Sequence, residues 1–324
     1  MAPKFLSNVK FLRKKIVPKL VSIILLNWNG REVLEQCLKS IYSYITYPKY
    51  EIILVDQGST DGSIEMVRKK FPKVKLIRNK KNVGISKGTN QAFKIARGEY
   101  LFLMANDIIA SKGWLESCIE LMEKDPKICS VGSVMYRIDK FQELQKNGKL
   151  ERLKNILPVK FQNAVCSNSM SMKRKVLERI GLYDEESFTP YGSEETDWHW
   201  RAVNIGYKIV LNGRSIVGHF EAHDAKQLPT KGYLLVQTNW VKAALYNNSP
   251  FMFLTKSLPY LIFLFVGSIK HLITDRDPTR VILDLKSYWS NLKNIRAIME
   301  QRRIRTGITK RLIKEQKIVG DGWW

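Results

Sequence analysis

The chain has 324 residues, of which 44% are hydrophobic, and its 54 Lys and Arg against 30 Asp and Glu give a formal net charge of +24. This hydrophobic content excludes a wholly disordered chain, and the length is sufficient for one large core. The excess positive charge favours an anionic partner, which could be a nucleic acid, an acidic membrane surface or a phosphorylated substrate.

The first half alternates apolar runs with amphipathic segments. Continuous apolar runs predict buried strands at residues 20–26, 51–56, 74–79 and 100–104. Helical spacing of apolar residues follows the first, second and fourth runs, and a glycine-containing turn opens a further helix over 82–96. Alternation of this kind predicts an α/β fold with a mostly parallel sheet covered by helices on both faces.

The second half is less regular. We expect strands at 128–135, 164–172, 207–211 and 215–220, and a polar insertion over 137–160. Short helices are predicted around residues 176–180 and over 194–205. After about residue 230 the chain is helical, amphipathic and basic. The sequence therefore predicts a C-terminal helical, basic extension after the α/β unit.

The cysteines and the N-terminus bear on the cell compartment. Cys37, Cys118, Cys129 and Cys166 are scattered and form no CxxC pair, which favours reduced, buried thiols over disulfides or zinc ligands. The basic N-terminal segment has no continuous apolar stretch, so we expect no signal peptide. A cytoplasmic location is the expectation.

Polar clusters follow three of the predicted strands, at Asn27–Gly30, Asp56–Ser63 and Ala105–Asp107. Because the carboxyl ends of parallel strands meet at one sheet edge, these clusters should converge on one cleft. The helix opening at Gly84–Gly88 offers backbone N–H groups to a phosphate. The chain has neither a GxGxxG nor a GxxxxGK[ST] motif, so simple NAD-binding and P-loop interpretations are weak.

These segments carry a family resemblance. VSIILLNWNG, VDQGSTDGS, NVGISKGTN, LMANDIIASKGWL and YGSEETDWHW, spread over residues 20–220, resemble the motifs of the family 2 glycosyltransferases in the family's order. The subset resembled most is the rhamnosyltransferase-like group. The resemblance implies a GT-A fold and inverting transfer of a sugar from a nucleotide diphosphate to a hydroxyl of a glycan or lipid-linked acceptor, in surface polysaccharide, glycolipid or glycoprotein synthesis.

The resemblance also implies a donor site. Asp56 would pair with the base, Lys87 and Asn90 would lie near the ribose and pyrophosphate, and Asp107 would face the pyrophosphate. The full predicted donor set is Asn27, Asn29, Gly30, Asp56, Gly58, Ser59, Gly84, Lys87, Gly88, Asn90, Asn106 and Asp107. For the aspartates, the alternative is that they only turn the chain or cap a helix.

For catalysis, the resemblance implies Glu195 as the general base, Asp107 and His219 as ligands of Mn²⁺ or Mg²⁺, and an acceptor site formed by Glu194, Trp198 and Trp200. Core packing explains either tryptophan equally well, and His219 could be structural.

Two positions depart from the family pattern. Gln57 stands where the family usually has Asn or a small polar residue, and Ala105 stands where a carboxylate or Asn is common at the metal site. Weak or dispensable metal binding, or a catalytically inactive sugar-nucleotide-binding paralogue, therefore stays open. A basic nucleic-acid-binding protein is a further alternative, although no zinc-finger or RRM signature is present.

The predicted domains are a basic N-terminal segment over 1–19, a catalytic domain over 20–225 and a helical region over 226–324. The boundary at 110/111 divides the catalytic domain into nucleotide-binding and acceptor-binding halves. The apolar stretch 257–269 is too short to span a bilayer, which needs about 20 residues. Its flanking lysines favour an interfacial helix and peripheral contact with an anionic membrane. The alternative is a helix that caps the catalytic domain.

Overall fold

The computed structural model describes Phe5 and residues 16–220 and 230–315. Most of the basic N-terminal segment, the 225/226 boundary and the end of the basic tail lie outside these residues. The strands are β1 Val17–Asn27, β2 Tyr50–Asp56, β3 Lys75–Arg78, β4 Gly98–Ala105, β5 Ile108–Ile109, β6 Ile128–Arg137, β7 Val159–Gln162, β8 Ser169–Lys173 and β9 Lys208–His219.

Helices alternate with these strands in the first half and dominate the C-terminal part. They are α1 Arg31–Tyr44, α2 Ser63–Lys70, α3 Ile85–Ile95, α4 Glu116–Lys124, α5 Ile138–Lys146, α6 Lys149–Ile156, α7 Arg174–Ile180, α8 Glu194–Val203, α9 Thr230–Asn247, α10 Pro250–Asp275, α11 Thr279–Lys293 and α12 Ile295–Glu315. Within α10, residues Phe253–Ser257 form a π-helical turn.

The strands of the described residues form one mixed sheet. Its order is β3-β2-β1-β4-β8-β6-β9-β5, and β7 pairs with β9. The pairs among β1 to β4 are parallel, whereas β8 runs antiparallel to both of its neighbours. The predicted α/β class is confirmed, and the parallel part carries the first three strand-end clusters.

Continuous apolar strands produce a sheet that is buried on both faces. One face packs beneath α1, α2 and α4, where the Phe102 ring contacts the Trp114 ring edge-on at 4.6 Å. The opposite face packs against α3, α7 and α8, where Phe93 contacts Tyr183 at 5.5 Å. The sheet is therefore a rigid platform for side chains at its edge.

Three predictions of secondary structure were wrong. The polar stretch 137–160 forms α5, α6 and the start of β7, because Phe141, Leu144 and Leu150 bury one side of it. The strand predicted over 164–172 begins only at Ser169. The two strands predicted over 207–220 are one continuous strand, β9, since Gly213 lets the backbone pass close to Leu157.

The C-terminal helices dock on the α/β unit through a buried ion cluster. The Arg305 guanidinium of α12 donates to the carboxylates of Asp197 and of Asp184, the latter at 2.5 Å, and Arg201 binds Asp197 at 3.0 Å. Burial alone would raise the pKa of Asp197, but the charges of Arg305 and Arg201 lower it. The C-terminal region is therefore joined directly to α8.

Helix α10 is longer than the sequence pattern indicated. It runs for 26 residues from Pro250 to Asp275, and only 17% of its most apolar 18-residue stretch is buried in the protein. By length and composition it could cross a membrane, so the prediction that this stretch is too short was wrong. Its exposed apolar side chains include Phe251, Leu254, Phe263 and Ile273.

Candidate functional site

The carboxyl ends of the parallel strands meet at one edge, as predicted. In the sheet register, Asn27 of β1 lies opposite Asp56 of β2, and Leu26 lies opposite Ala105 of β4. Asn106 follows β4 and donates its side-chain amide to Asn27 Oδ1 at 2.8 Å. Three of the predicted polar clusters therefore form a single connected network.

Asp56 is the centre of this network. Its Oδ1 accepts the backbone N–H groups of Gly58 at 3.0 Å and of Ser59 at 2.9 Å, and its Oδ2 accepts Asn27 Nδ2 at 3.1 Å. Asp56 and Asn27 are fully buried and Ser59 is nearly so. The carboxylate shapes the turn after β2, and its contact with a base stays a prediction because Asp56 has no exposed surface in this structure.

The turn after β1 forms the exposed surface over that network. The Asn29 N–H donates to Ser59 Oγ at 2.9 Å, and its side-chain oxygen accepts Thr60 N–H at 2.8 Å. A Cβ at Gly30 would lie 2.4 Å from Asn106 Nδ2, so a larger residue would displace that amide. Trp28 is 60% exposed here, and the sequence did not single it out because one aromatic residue in a turn carries no periodic signal.

Asp107 and His219 are brought together. Because β5 pairs antiparallel with the end of β9, His219 lies opposite Ile108 and its Nε2 is 3.2 Å from Asp107 Oδ2. Both side chains are partly exposed, at 16% for Asp107 and 21% for His219. A carboxylate and an imidazole on one edge fit Mn²⁺, with ligand oxygens and water completing the coordination.

Within the described ranges, no three or more His, Cys, Asp or Glu side chains gather into a metal cage. A cation at Asp107 and His219 would therefore depend on the bound ligand for further oxygens. Ala105 is consistent with this, because its side chain has no atom that could bind a metal.

The prediction that the N-terminus of α3 binds phosphate was wrong. The carbonyl of Pro190 accepts the Ile85 N–H at 2.8 Å, and a Cβ at Gly84 would lie 2.6 Å from that same oxygen. A chain segment therefore occupies the position where a phosphate would lie. Lys87, by contrast, is exposed.

Two more residues of this segment are buried in the packed structure. Gly88 is buried beneath Gln57, whose Nε2 would lie 2.4 Å from an added Cβ. Asn90 is 1% exposed, and its amide is hydrogen-bonded in both directions with the backbone of Tyr183. Gly84 is covered by Pro190, and the donor contacts of Gly88 and Asn90 stay predictions, as that of the equally buried Asp56 does.

Helix α8 begins with two glutamates in different environments. Glu194 is 3% exposed, and its carboxylate accepts the Gly192 N–H at 2.6 Å, so it closes the preceding turn instead of contacting an acceptor. Glu195 is partly exposed. Burial raises the pKa of both carboxyls, and the charge of Glu195 raises that of Glu194 further. A carboxyl with a raised pKa is suited to general-base chemistry near neutral pH.

The two predicted acceptor tryptophans differ. Trp198 has no exposed surface and donates its indole N–H to the Gly181 carbonyl at 3.1 Å, so its predicted acceptor contact was wrong. Trp200 is partly exposed and meets Trp240 of α9 edge-on at 5.9 Å.

The cysteine prediction holds for three positions and fails at Cys166, which is exposed.

Comparison with known proteins agrees with this geometry. The family model for glycosyl transferase family 2 matches residues 22–181, the segment that contains the strand-end clusters. Residues 22–181 form a glycosyl transferase family 2 domain. An uncharacterized glycosyltransferase of Haemophilus influenzae is 28% identical over 192 residues, which are 55% of this chain and 59% of that relative. The uncharacterized glycosyltransferase YfnE of Bacillus subtilis is 31% identical over 62% of this chain and 64% of its own length.

Solved structures establish the fold of the chain. A mannosyltransferase from Pyrobaculum calidifontis in complex with GDP-Man and Mn²⁺ superposes with a TM-score of 0.57 at 17% identity, covering 97% of this chain and 94% of that one. The predicted GT-A fold is confirmed. The alignments cover less than two thirds of the Haemophilus and Bacillus relatives, and neither relative selects the rhamnosyltransferase-like subset.

Proposed function

We propose that the chain is an inverting glycosyltransferase that moves a sugar from a nucleotide-diphosphate donor to a hydroxyl of a glycan or lipid-linked acceptor. The observation that carries the proposal is the meeting of Asp107 and His219, 3.2 Å apart, at the sheet edge where the β1, β2 and β4 clusters also converge. In open α/β sheets, ligands bind at this edge.

The donor would lie across the turns after β1, β2 and β4. Trp28 offers an exposed indole face to a base, and Gly30 and Gly58 let the turns pack closely against Asn106 and the Lys81 backbone. Asn106 is partly exposed and Lys87 is exposed, and both would contact the pyrophosphate. The buried network around Asp56 holds these turns in place.

Asp107 and His219 would hold Mn²⁺ or Mg²⁺, and the imidazole favours Mn²⁺. When bound, such a cation supplies positive charge that stabilises the leaving nucleoside diphosphate. The chain's own contribution is to fix the two ligands through the β5–β9 pairing, which the Phe220 N–H to Asp107 carbonyl bond of 3.0 Å extends.

Glu195 would accept the proton of the acceptor hydroxyl as that oxygen attacks the anomeric carbon from the side opposite the leaving group. One displacement of this kind inverts the configuration at that carbon. Its location at the first turn of α8 supports this role, because the buried Asp197 on the same helix is fixed by Arg201 and Arg305. The base is thus carried on a rigid element.

Membrane contact is part of the proposal. The exposed apolar residues of α10 and the basic composition suit peripheral binding at the anionic, cytoplasmic face of a membrane. Surface polysaccharide, glycolipid or glycoprotein synthesis is the corresponding role, and the rhamnosyltransferase-like subset stays a prediction.

A binding and hydrolysis screen of UDP-, dTDP- and GDP-sugars, with and without Mn²⁺, tests the proposal. We expect one donor class to bind with micromolar affinity and to be hydrolysed slowly. Binding without any hydrolysis or transfer would favour an inactive paralogue. Failure of all donors to bind, together with salt-sensitive binding to DNA or RNA, would favour a basic nucleic-acid-binding protein.

A further inference from the structure

A chamber beside Glu195 is left unassigned by the donor site. It encloses about 530 Å³ between α8, the segment that follows β7, and helices α9 and α10. Thr196, the residue after the proposed base, lies in its wall at one end, and Lys256 and Tyr260 lie in its wall on α10. The chamber therefore extends from the catalytic helix to the exposed apolar helix.

Three aromatic side chains connect these two ends. Trp200 of α8 meets Trp240 of α9 at 5.9 Å, and Trp240 meets Tyr260 of α10 at 4.9 Å with the rings tilted by 48°. Tyr260 is 45% exposed, and the two tryptophans are partly exposed. Aromatic faces beside amide side chains, such as that of Asn163 here, suit the apolar faces and hydroxyls of a sugar ring.

The α10 end has a different chemistry. Lys256 is exposed and places a compact positive charge in the chamber wall. On the same helix, Leu254 is 60% exposed and Phe263 is 71% exposed. A cation followed by exposed apolar surface suits a phosphate that is joined to a lipid chain.

We infer that this chamber binds a glycan linked through phosphate to a lipid, with the sugar against the exposed surface of the paired Trp200 and Trp240 rings, the phosphate at Lys256 and the lipid along α10. This assignment rests on the proposed function and selects the lipid-linked acceptor over a free glycan. A free glycan would use the aromatic end alone and would leave Lys256 and the apolar face unused. Because Thr196 lies in the same wall, the sugar would be held next to the first turn of α8, which carries Glu195.

The test uses the full chain and a defined panel of probes. Citronellyl phosphate carrying glucose, galactose, mannose or N-acetylglucosamine is titrated by calorimetry, below the concentration at which it forms micelles. Citronellyl phosphate without a sugar and the corresponding sugar 1-phosphates are the matched ligands. We expect at least one lipid-linked sugar to bind at least tenfold more tightly than either of its two fragments.

Substitutions in the chamber wall test where the lipid-linked sugar binds. Trp240→Ala and Lys256→Ala should each weaken binding of that probe at least tenfold, and Trp240→Phe should restore most of it. The control is Trp289→Ala, which removes an aromatic side chain of α11 that is 57% exposed and is not in the chamber wall. This variant should bind the probe as the wild-type protein does. Thermal unfolding of each variant verifies that it is folded.

Three results would overturn the inference. They are no binding of any lipid-linked sugar, equal binding of lipid phosphate without sugar, and unchanged binding by both Trp240→Ala and Lys256→Ala. Nucleotide-sugar binding by the wild-type protein is measured on the same samples. If the donor binds and the lipid-linked sugars do not, the chamber assignment fails alone; if the donor also fails to bind, the proposed function fails with it.

Discussion

Replacing Arg305 by Met should destabilise the protein strongly. The Arg305 side chain is 4% exposed and pairs with Asp184, which is 7% exposed, and with Asp197, which is fully buried. Its guanidinium carbon also lies 4.4 Å from the centre of the Tyr246 ring. Methionine keeps most of the apolar stem but leaves Asp184 short of its cation, and removal of one partner of a buried pair costs about 3–5 kcal/mol.

Urea unfolding measures this loss. With a slope of about 3 kcal/mol per molar, a loss of about 3–5 kcal/mol should lower the midpoint by about 1–1.7 M. The matched control is Arg303→Met on the same helix, where Arg303 is 80% exposed and pairs with an exposed Glu300. That substitution should cost about 0–1 kcal/mol. A loss at Arg305 no larger than the loss at Arg303 would refute the argument.

The pH dependence provides a second measurement of the same cluster. The pKa of Asp197 is lowered from 3.8, because Arg305 and Arg201 outweigh the effect of burial. The stabilisation is therefore present above pH 3.8 and is lost as the pH falls through the lowered pKa. The stability difference between wild type and Arg305→Met should shrink below that pH, and a constant difference would contradict the ion-pair assignment.

The remaining predictions concern the site. Glu195→Gln should lower kcat for transfer by about 10²–10⁴-fold and leave donor affinity, measured by calorimetry, unchanged. Because burial raises the pKa of Glu195, the acid limb of kcat/KM should lie above pH 4.5, since the base acts only when ionised. Asp107→Asn should weaken Mn²⁺ binding in the presence of nucleoside diphosphate, measured by electron paramagnetic resonance. Trp28→Ala should raise the donor Kd about 10–100-fold, which corresponds to about 1–3 kcal/mol of base stacking.

Each of these predictions can fail separately. Normal transfer by Glu195→Gln, or an acid limb at or below pH 4.5, would remove the base assignment. The control for Asp107→Asn is Asp139→Asn, an exposed surface carboxylate, and equal Mn²⁺ binding by both variants would place the cation elsewhere. Unchanged donor affinity in Trp28→Ala would exclude stacking.

Local pattern was sufficient to predict the catalytic sheet. The buried parallel strands β1, β2 and β4 are continuous apolar runs, and each ends in the polar residues that meet at the cleft. The stretch 137–160 was missed because Phe141 and Leu144 stand among charged residues that hide the helical period. The sequence pattern divided β9 into two predicted strands because a glycine such as Gly213 is typical of a turn. Only the packed structure shows that Gly213 lets the strand pass close to Leu157 without a break.

The errors at the site come from long-range contacts. Pro190 covers the start of α3 from more than a hundred residues away in the chain, so a sequence pattern that fits phosphate binding could not reveal it. Burial of Trp198 depends on its contact with Gly181. Arg305 lies 108 residues from Asp197 in sequence, and one arginine in a basic helix gives no sign that it is buried.

The anomeric configuration of the reaction product tests the central claim most directly. Proton NMR can follow the wild-type protein with its nucleotide sugar and Mn²⁺, observing the anomeric signal of the released or transferred sugar before it equilibrates. An α-linked donor should give a β product at first, and Glu195→Gln should give almost none. A product that keeps the α configuration, or equal product from both proteins, would contradict a single displacement assisted by Glu195.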